Sequence, residues 1–266
     1  MTTSATGLLS NKNILITGVL TDDSLAFGVA REAQAHGANV ILTGFGRGKR
    51  LTDRTARKLD PVPEVLELDV TDPDQVAALI EQLKGDVGEI HGILHAVGFA
   101  PEACLGDDFF GATWDDVATA VHVSTYSLRT MADIGLALMP NGGSIVGLTF
   151  DATVAWPAYN WMGVAKAGME SLNRYLAKEL GPKGIRCNLI AAGPMRTIAA
   201  KSIPGFAKFE DEWTKRAPLG WDVNDSSGVA RSTMALFTDL FSHTTGSIIH
   251  VDGGYHVLGM PQAENL

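Results

Sequence analysis

Short runs of apolar residues alternate with longer segments of helical periodicity along the chain. The apolar runs predict strands at 12–17, 39–43, 64–69, 90–97, 144–148, 185–191 and 247–251. The intervening segments predict helices at 24–36, 47–58, 73–84, 114–138, 157–180 and 225–240. Because the apolar runs do not alternate strictly with polar residues, the strands are expected to be covered on both faces. The pattern therefore predicts an α/β fold: a Rossmann-like, doubly wound parallel sheet of seven strands with helices on both faces.

No linker or internal repeat divides this pattern, so residues 1–266 are predicted to form a single domain. The stretch with the weakest periodicity, about 195–225, is rich in glycine, proline and tryptophan. It follows the carboxyl end of a predicted strand, which is the edge where open α/β sheets bind ligands. We therefore expect this stretch to form the substrate-binding segment.

Composition and charge narrow the classes of partner. The chain is 45% hydrophobic and 19% charged, which is ordinary for a soluble globular protein. Its net charge of −9 argues against nucleic acid or an anionic membrane as the main partner. Neither the two cysteines, Cys104 and Cys187, nor the seven histidines show metal-ligand spacing, so no metal site is predicted. Since no apolar stretch approaches the ~18 residues of a membrane span and no signal-peptide pattern is present, a cytoplasmic location is expected.

The stretch GVLTDDSLAFG, which begins at Gly18, joins the first predicted strand to the first predicted helix. Gly18 is expected to allow a sharp turn and Ser24 to cap the helix. The N-terminus of that helix can then bind a diphosphate through its backbone N–H groups. Gly28 is expected to let the helix pack closely on the sheet. Asp22 and Asp23 are expected to point to solvent and to favour the helix dipole.

Further candidate residues follow other predicted strands. Gly98 lies in HAVGFAP, and Tyr159 and Lys166 lie in YNWMGVAK. If 157–180 is helical, Tyr159 and Lys166 are about two turns apart on one face, with Met162 between them. A phenol hydroxyl there can stabilise negative charge that develops on a substrate oxygen, and an ammonium group can bind ribose hydroxyls.

These motifs resemble those of the enoyl-acyl-carrier-protein reductases, a divergent branch of the short-chain dehydrogenase/reductases. The resemblance extends from about residue 8 to residue 256 and rests on two spacings, G-x5-S-x3-G from Gly18 and Y-x6-K from Tyr159. The wider superfamily uses Y-x3-K, and this chain has Met162 at that tyrosine position. An ordinary carbonyl reductase is therefore disfavoured.

The resemblance implies that Tyr159 stabilises the enolate of an enoyl thioester and that Lys166 orients the nicotinamide ribose. It places Phe150 beside nicotinamide and substrate, where InhA-type members also have phenylalanine and many others have a second tyrosine. The implied catalytic residues are Tyr159, Lys166 and Phe150. The implied substrate contacts are Tyr159, Phe150 and Met162.

The resemblance also implies NADH as the cofactor. The second predicted strand is not followed by the Asp or Glu that usually binds the adenosine ribose, and Phe45 is implied to stack on adenine instead. Arg47, Lys49 and Arg50 leave NADPH open, because they can accommodate a 2′-phosphate. The implied cofactor-binding residues are Gly18, Ser24, Leu25, Phe45, Asp69, Val70, Gly98, Lys166, Met195 and Thr197.

The implied reaction is reduction of the trans-2 double bond of an enoyl-acyl-carrier protein in type II fatty-acid elongation, by a homotetramer. The segment IAAKSIPGFAKFEDEW is about ten residues shorter than the matching loop of InhA-type members, which predicts a preference for shorter acyl chains. Two alternatives are left open. One is another NAD(P)-dependent short-chain reductase that acts on a carbonyl, and the other is a redox-inactive dinucleotide-binding sensor.

Overall fold

Seven strands form one sheet, and every strand pair in it is parallel. The computed structural model describes residues 7–201 and 203–259, so the two ends of the predicted 1–266 domain and Ser202 lie outside it. The strands are β1 (Asn13–Ile16), β2 (Asn39–Gly44), β3 (Glu64–Glu67), β4 (Gly92–His95), β5 (Gly143–Thr149), β6 (Ile185–Ala192) and β7 (Ile248–Val251). Each predicted strand is present, and the predicted α/β fold class is confirmed.

The strand order, β3-β2-β1-β4-β5-β6-β7, puts the first strand inside the sheet. The chain winds outward from β1 to β3, then crosses back to β4 and winds the other way to β7. The reversal falls between β1 and β4, where Leu15 pairs with Ile93. In open α/β sheets a ligand crevice forms outside the carboxyl ends of the strands at such a reversal.

Nine helices surround the sheet within the described ranges. They are α1 (Leu25–Ala35), α2 (Gly46–Ala56), α3 (Pro73–Asp86), α4 (Trp114–Val121), α5 (Ser127–Leu138), α6 (Asn160–Leu180), α7 (Ile198–Lys201), α8 (Phe206–Arg216) and α9 (Ser227–Leu236). The helix predicted at 114–138 is interrupted by a π-helical turn at His122–Tyr126. The weakly periodic stretch 195–225 contains α7 and α8, which the pattern did not indicate because α8 buries only Phe209 and Trp213.

Apolar clusters cover both faces of the sheet. Ile14 and Ile16 of β1 belong to the cluster under α1 and α9, whereas Leu15 between them belongs to the cluster under α3, α5 and α6. All three side chains are 0% exposed. This two-sided burial explains why the strands read as continuous apolar runs. Among the described residues, no helix is long and apolar enough to cross a membrane.

The predicted role of Gly28 in packing α1 on the sheet is wrong. A Cβ at this position would lie 3.0 Å from Ser226 Oγ and 3.3 Å from Ala230 Cβ. Gly28 therefore brings α1 close to α9, because its face of the helix lies against that neighbour rather than against the strands.

Candidate active site

The end of β1 approaches the end of β4 very closely. Gly18 has a φ of 81°, and a Cβ there would lie 2.2 Å from the carbonyl oxygen of Ala96. The Thr17 hydroxyl donates a hydrogen bond to the Leu94 carbonyl at 2.9 Å and accepts one from the Ala96 N–H at 3.0 Å. Only glycine satisfies both the positive φ and the contact at this position. The two strand ends together make a backbone floor at the crevice.

The N-terminus of α1 stands beside this floor. Ser24 Oγ accepts a hydrogen bond from the Phe27 N–H at 3.2 Å, so the predicted cap is confirmed. Leu25 begins the helix, and first-turn N–H groups such as its own have no acceptor within a helix. Asp22 is ion-paired with Lys58, and the hydrogen bond from Lys58 lowers the pKa of its carboxyl. Asp22 and Asp23 are both exposed, as predicted, and the pairing with Lys58 offsets the charge of Asp22, so the helix end fits a diphosphate.

The predicted adenine contacts follow β2 and β3, which are neighbours in the sheet. The Phe45 ring, directly after β2, is 53% exposed and is therefore available for stacking. Asp69, after β3, accepts hydrogen bonds from the N–H and the hydroxyl of Thr71 at 2.9 and 2.7 Å. Val70 beside it is buried. These three residues lie at the same edge as Gly18, farther along the sheet.

The basic residues near Phe45 divide into two groups. Lys49 pairs with Asp53 at 3.2 Å, whereas the side chains of Arg47 and Arg50 are exposed at the start of α2. An ion-paired lysine is less available for a 2′-phosphate than an exposed arginine. The two arginines are therefore the groups on which NADPH binding would depend.

Gly98 lies where the segment after β4 meets α6. A Cβ at Gly98 would lie 3.3 Å from Met162 Cε, so the predicted cofactor residue and the predicted substrate residue are neighbours. The next residue, Phe99, is fixed by Ser124 of the π-helical turn. Ser124 Oγ accepts a hydrogen bond from the Phe99 N–H at 2.9 Å and donates one to the Phe99 carbonyl at 2.8 Å.

Tyr159 precedes α6 rather than lying within it. Its neighbours Ala158 and Asn160 have φ values of 59° and 48°, in the left-handed region. The predicted helix at 157–180 is therefore wrong at its start, and Tyr159 and Lys166 are not two turns apart on one regular helix. Asn160 Nδ2 donates hydrogen bonds to the carbonyls of Gly106 and Asp108, at 3.3 and 3.0 Å, and so ties this bend to the segment after β4.

The side chain of Tyr159 nevertheless lies at the carboxyl end of β5. Its ring packs edge-on against Phe150, with ring centroids 5.3 Å apart. The phenol is almost completely buried, and burial raises its pKa. Its hydroxyl has no hydrogen bond to another residue of the described chain, which leaves an O–H donor available to a ligand.

Lys166 reaches the same strand end from α6. It is 6% exposed, and its ammonium group donates a hydrogen bond to the Leu148 carbonyl of β5 at 2.8 Å. Burial lowers the pKa of Lys166 to about 8, against the opposing effect of the Glu170 charge. Met169 Sδ, at 3.8 Å, is a second and weaker acceptor. An ammonium group has three N–H donors, so Lys166 keeps donor capacity for cofactor hydroxyls.

Aromatic rings extend from Phe150 away from the sheet. The centroid of the Phe150 ring lies 5.0 Å from Trp156, 5.9 Å from Phe209 and 5.7 Å from Trp213. Trp213 stacks on Tyr255 with centroids 3.7 Å apart. A cavity of about 310 Å³ opens beside these rings. The predicted substrate segment 195–225 thus supplies two rings of an apolar wall next to Tyr159.

Met195 and Thr197 follow β6. Met195 is buried, and its carbonyl accepts the Thr197 N–H at 2.8 Å. Thr197 Oγ1 accepts a hydrogen bond from the Ala200 N–H at 3.1 Å and so caps α7. Capping uses the oxygen as an acceptor, and the hydroxyl proton stays available for a phosphate oxygen.

Four residues that position this site were given no role by sequence analysis: Thr17, Ser124, Asn160 and Glu170. Asn160 carried a readable signal, since asparagine tolerates the left-handed region better than most residues and it follows the candidate tyrosine. Glu170 also carried one, because it lies one helical turn after Lys166. Ser124 depends on a π-helical turn that no local pattern in the sequence indicates.

No group of three or more His, Cys, Asp or Glu side chains within 7–201 and 203–259 is arranged to hold a metal ion. The seven histidines include His95, which is fully buried with its Nε2 2.7 Å from Ser127 Oγ. Burial lowers the pKa of His95 to about 3, so it is neutral near neutral pH.

The chain is similar to known proteins along most of its length. Residues 18–256 match the sequence model of a family described as Enoyl-(Acyl carrier protein) reductase. The chain is 44% identical over 263 residues to an enoyl-acyl-carrier-protein reductase (NADH) of Mycolicibacterium smegmatis, covering 94% of this chain and 97% of the relative. It is 38% identical over 258 residues to the NADH enzyme FabI of Bacillus cereus, covering 95% and 99%. It is also 38% identical over 253 residues to the NADPH enzyme FabI of Staphylococcus aureus, covering 94% and 98%.

Proposed function

Because the chain belongs to the enoyl-acyl-carrier-protein reductase family, we propose that it reduces the trans-2 double bond of enoyl-acyl-carrier protein with NADH in type II fatty-acid elongation. The observation that carries this proposal is the meeting of two side chains at the end of β5. Tyr159 packs on Phe150 at a centroid distance of 5.3 Å, and Lys166 donates to the Leu148 carbonyl at 2.8 Å. The Tyr159 ring and the Lys166 ammonium group thus both contact residues at the carboxyl end of β5.

The backbone floor and the α1 N-terminus fit a dinucleotide. A Cβ at Gly18 would fill the space against Ala96, and the capped helix end offers N–H groups to a diphosphate. Phe45 would stack on adenine, and the free donors of Lys166 would bind the nicotinamide ribose. When bound, NADH supplies the hydride that reduces the β-carbon of the enoyl thioester.

Tyr159 acts on the substrate oxygen in this proposal. Reduction at the β-carbon develops negative charge on the thioester oxygen, and a phenol O–H aimed at that oxygen stabilises it where it appears. Burial raises the pKa of Tyr159 and so keeps the donor protonated. Phe150 and Met162 would border the thioester, and the apolar wall that includes Trp213 would hold the acyl chain.

The apolar wall also supports the proposal of shorter acyl substrates than those of InhA-type members. The segment around 195–225 brings Phe209 and Trp213 against Phe150, at 5.9 and 5.7 Å between ring centroids, so rings occupy space beyond the reacting end. We also propose that an acyl-carrier protein carries the substrate, as the names of the relatives suggest. A homotetramer and a cytoplasmic location are part of the same proposal.

A turnover assay tests the function. Oxidation of NADH and of NADPH is followed with a trans-2-octenoyl thioester and, separately, with a β-ketoacyl thioester. We expect oxidation of NADH with the enoyl substrate only. Reduction of the keto substrate alone would favour the carbonyl reductase, and NADH binding without turnover of either would favour the redox-inactive sensor. Faster oxidation of NADPH would assign Arg47 and Arg50 to a 2′-phosphate.

A further inference from the structure

Glu170 is a buried carboxyl group in α6, one turn beyond Lys166, and only 6% of it is exposed. Acidic side chains are rarely buried unless charges or hydrogen bonds compensate them. The proposed chemistry needs no group at this position. Burial raises the pKa of Glu170, which shows that the surroundings oppose its charge. The groups that offset the cost of burying this carboxyl group therefore indicate its role.

One of its oxygens holds the turn that follows β5. Glu170 Oε1 accepts a hydrogen bond from the Ala152 N–H at 3.0 Å and lies 3.5 Å from Thr149 Oγ1. Phe150 lies between these two residues in the chain. The carboxyl group therefore fastens to α6 the short segment that presents the Phe150 ring to Tyr159.

Glu170 follows Lys166 by four residues on α6. Side chains four residues apart on an α-helix are neighbours, with Cβ atoms about 5–6 Å apart. The hydrogen-bond acceptors of Lys166 among the described residues are neutral, namely the Leu148 carbonyl and Met169 Sδ. Glu170 is the group whose charge counteracts the effect of burial on the lysine.

We propose that Glu170 is a positioning residue that holds the Phe150 segment against α6 and keeps Lys166 cationic for cofactor binding. This inference rests on the proposed function, in which Lys166 binds the nicotinamide ribose. One carboxylate would thus act on both sides of the site, by holding Phe150 on the substrate side and by keeping Lys166 charged on the cofactor side.

The other groups around this pair do not obscure its titration. His95 faces Lys166 from β4 and is neutral, because burial and the lysine lower its pKa to about 3. The pKa of Tyr159 is raised, so the phenol stays protonated in the same range. Asp151 opposes the charge of Glu170 and Arg174 favours it. Near pH 8 the loss of a proton from Lys166 is therefore the change in protonation that alters cofactor binding.

The test is the pH dependence of NADH binding, measured by fluorescence titration of the intact enzyme. Lys166 binds while cationic, so affinity is full below its pKa and falls as the pH rises through it. In Glu170→Gln the amide oxygen can still accept the Ala152 N–H, but the charge is gone. We expect the pH at which affinity begins to fall to drop by about one unit, the lower end of the effect of one nearby opposite charge.

Glu179→Gln is the matched control, since Glu179 lies on the same helix with an exposed side chain paired to Lys178. It should leave the pH midpoint unchanged. Glu170→Ala tests whether Glu170 holds the Phe150 segment: we expect kcat to fall about tenfold near neutral pH, with Gln restoring most of it. An unchanged midpoint in Glu170→Gln, or a kcat in Glu170→Ala equal to the wild type, overturns the corresponding half.

Lys166→Met separates this inference from the proposed function. It should lose NADH binding at every pH. A Lys166→Met enzyme that binds NADH normally would overturn the role proposed for the lysine itself. If Lys166→Met loses binding while Glu170→Gln keeps the wild-type midpoint, the proposed function stands and the inference about Glu170 fails.

Discussion

The two sides of the crevice are built by different means. On the cofactor side, the ends of β1 and β4 meet through backbone contacts, and Gly18 leaves no room for a side chain. On the substrate side, rings from Phe150, Trp156, Phe209 and Trp213 pack together although they come from two separate segments, the one after β5 and α8. The first side is made by backbone groups at the ends of two neighbouring strands of the sheet. The second is made by side chains from the segment after β5 and from α8.

This difference has a functional meaning. The same cofactor diphosphate is bound whichever acyl substrate is reduced, and backbone N–H groups in fixed positions suit a ligand that does not vary. An acyl chain varies in length, and an apolar wall without hydrogen bonds can accept several lengths with graded affinity. Substitutions on the two sides should therefore separate cofactor affinity and stability from catalytic rate and substrate preference.

The largest separation is expected from Tyr159→Phe. Removing the hydroxyl should lower kcat by about 10²–10³-fold, the effect of losing one donor to a developing oxyanion. NADH affinity should stay within about twofold, because the ring and its packing on Phe150 are kept. Steady-state kinetics with an octenoyl thioester and NADH titration measure the two quantities. A kcat within about tenfold of the wild type would remove Tyr159 from the chemistry.

Gly18→Ala should produce the opposite signature. The added methyl group meets the Ala96 carbonyl at 2.2 Å with φ at 81°, so the β1 end must move. We expect the free energy of unfolding to fall by about 2–3 kcal/mol and NADH affinity to fall with it. Urea denaturation and NADH titration test this. Gly228→Ala is the control, since a Cβ there meets nothing within 4 Å; equal stability of the two variants would contradict the interpretation.

Asn160 tests what holds Tyr159 in place. Asn160→Ala loses both amide hydrogen bonds and puts a methyl-bearing residue at a φ of 48°, whereas Asn160→Gly loses the bonds but accepts the conformation. We expect kcat to fall about tenfold in Asn160→Ala and less in Asn160→Gly, since a left-handed non-glycine residue costs about 1–2 kcal/mol. Kinetics at saturating NADH measure both. If glycine is as impaired as alanine, the amide hydrogen bonds rather than the backbone conformation position the tyrosine.

The sequence was sufficient where local rules determine the structure. The strands of the sheet could be predicted because consecutive residues such as Ile14 and Leu15 are both apolar although they point to opposite faces of the sheet. Ser24 could be predicted as a helix cap because its hydrogen-bond partner lies three residues away. The start of α6 could not, because hydrogen bonds to Gly106 and Asp108, some fifty residues away, stabilise the bend. Helix α8 was missed because only three apolar residues, Phe206, Phe209 and Trp213, mark its buried face, and their packing against one tertiary cluster stabilises it.

The smallest expected effect concerns acyl chain length, and it tests the substrate side alone. Each methylene of the acyl chain that is buried against apolar side chains contributes about 0.8 kcal/mol, or roughly fourfold in kcat/KM. In a series of enoyl thioesters we expect kcat/KM to rise for short chains and then stop rising where the aromatic wall is met. Trp156→Ala should extend the rise to longer chains by a few-fold, since its ring packs 5.0 Å from Phe150. Trp114→Ala, at an exposed tryptophan, is the control and should leave the series unchanged. A wild-type kcat/KM that keeps rising up to very long chains would contradict the predicted preference for shorter acyl chains. It would show that the aromatic wall moves to admit a long acyl chain, so that the shorter 195–225 segment does not limit the chain length of the substrate.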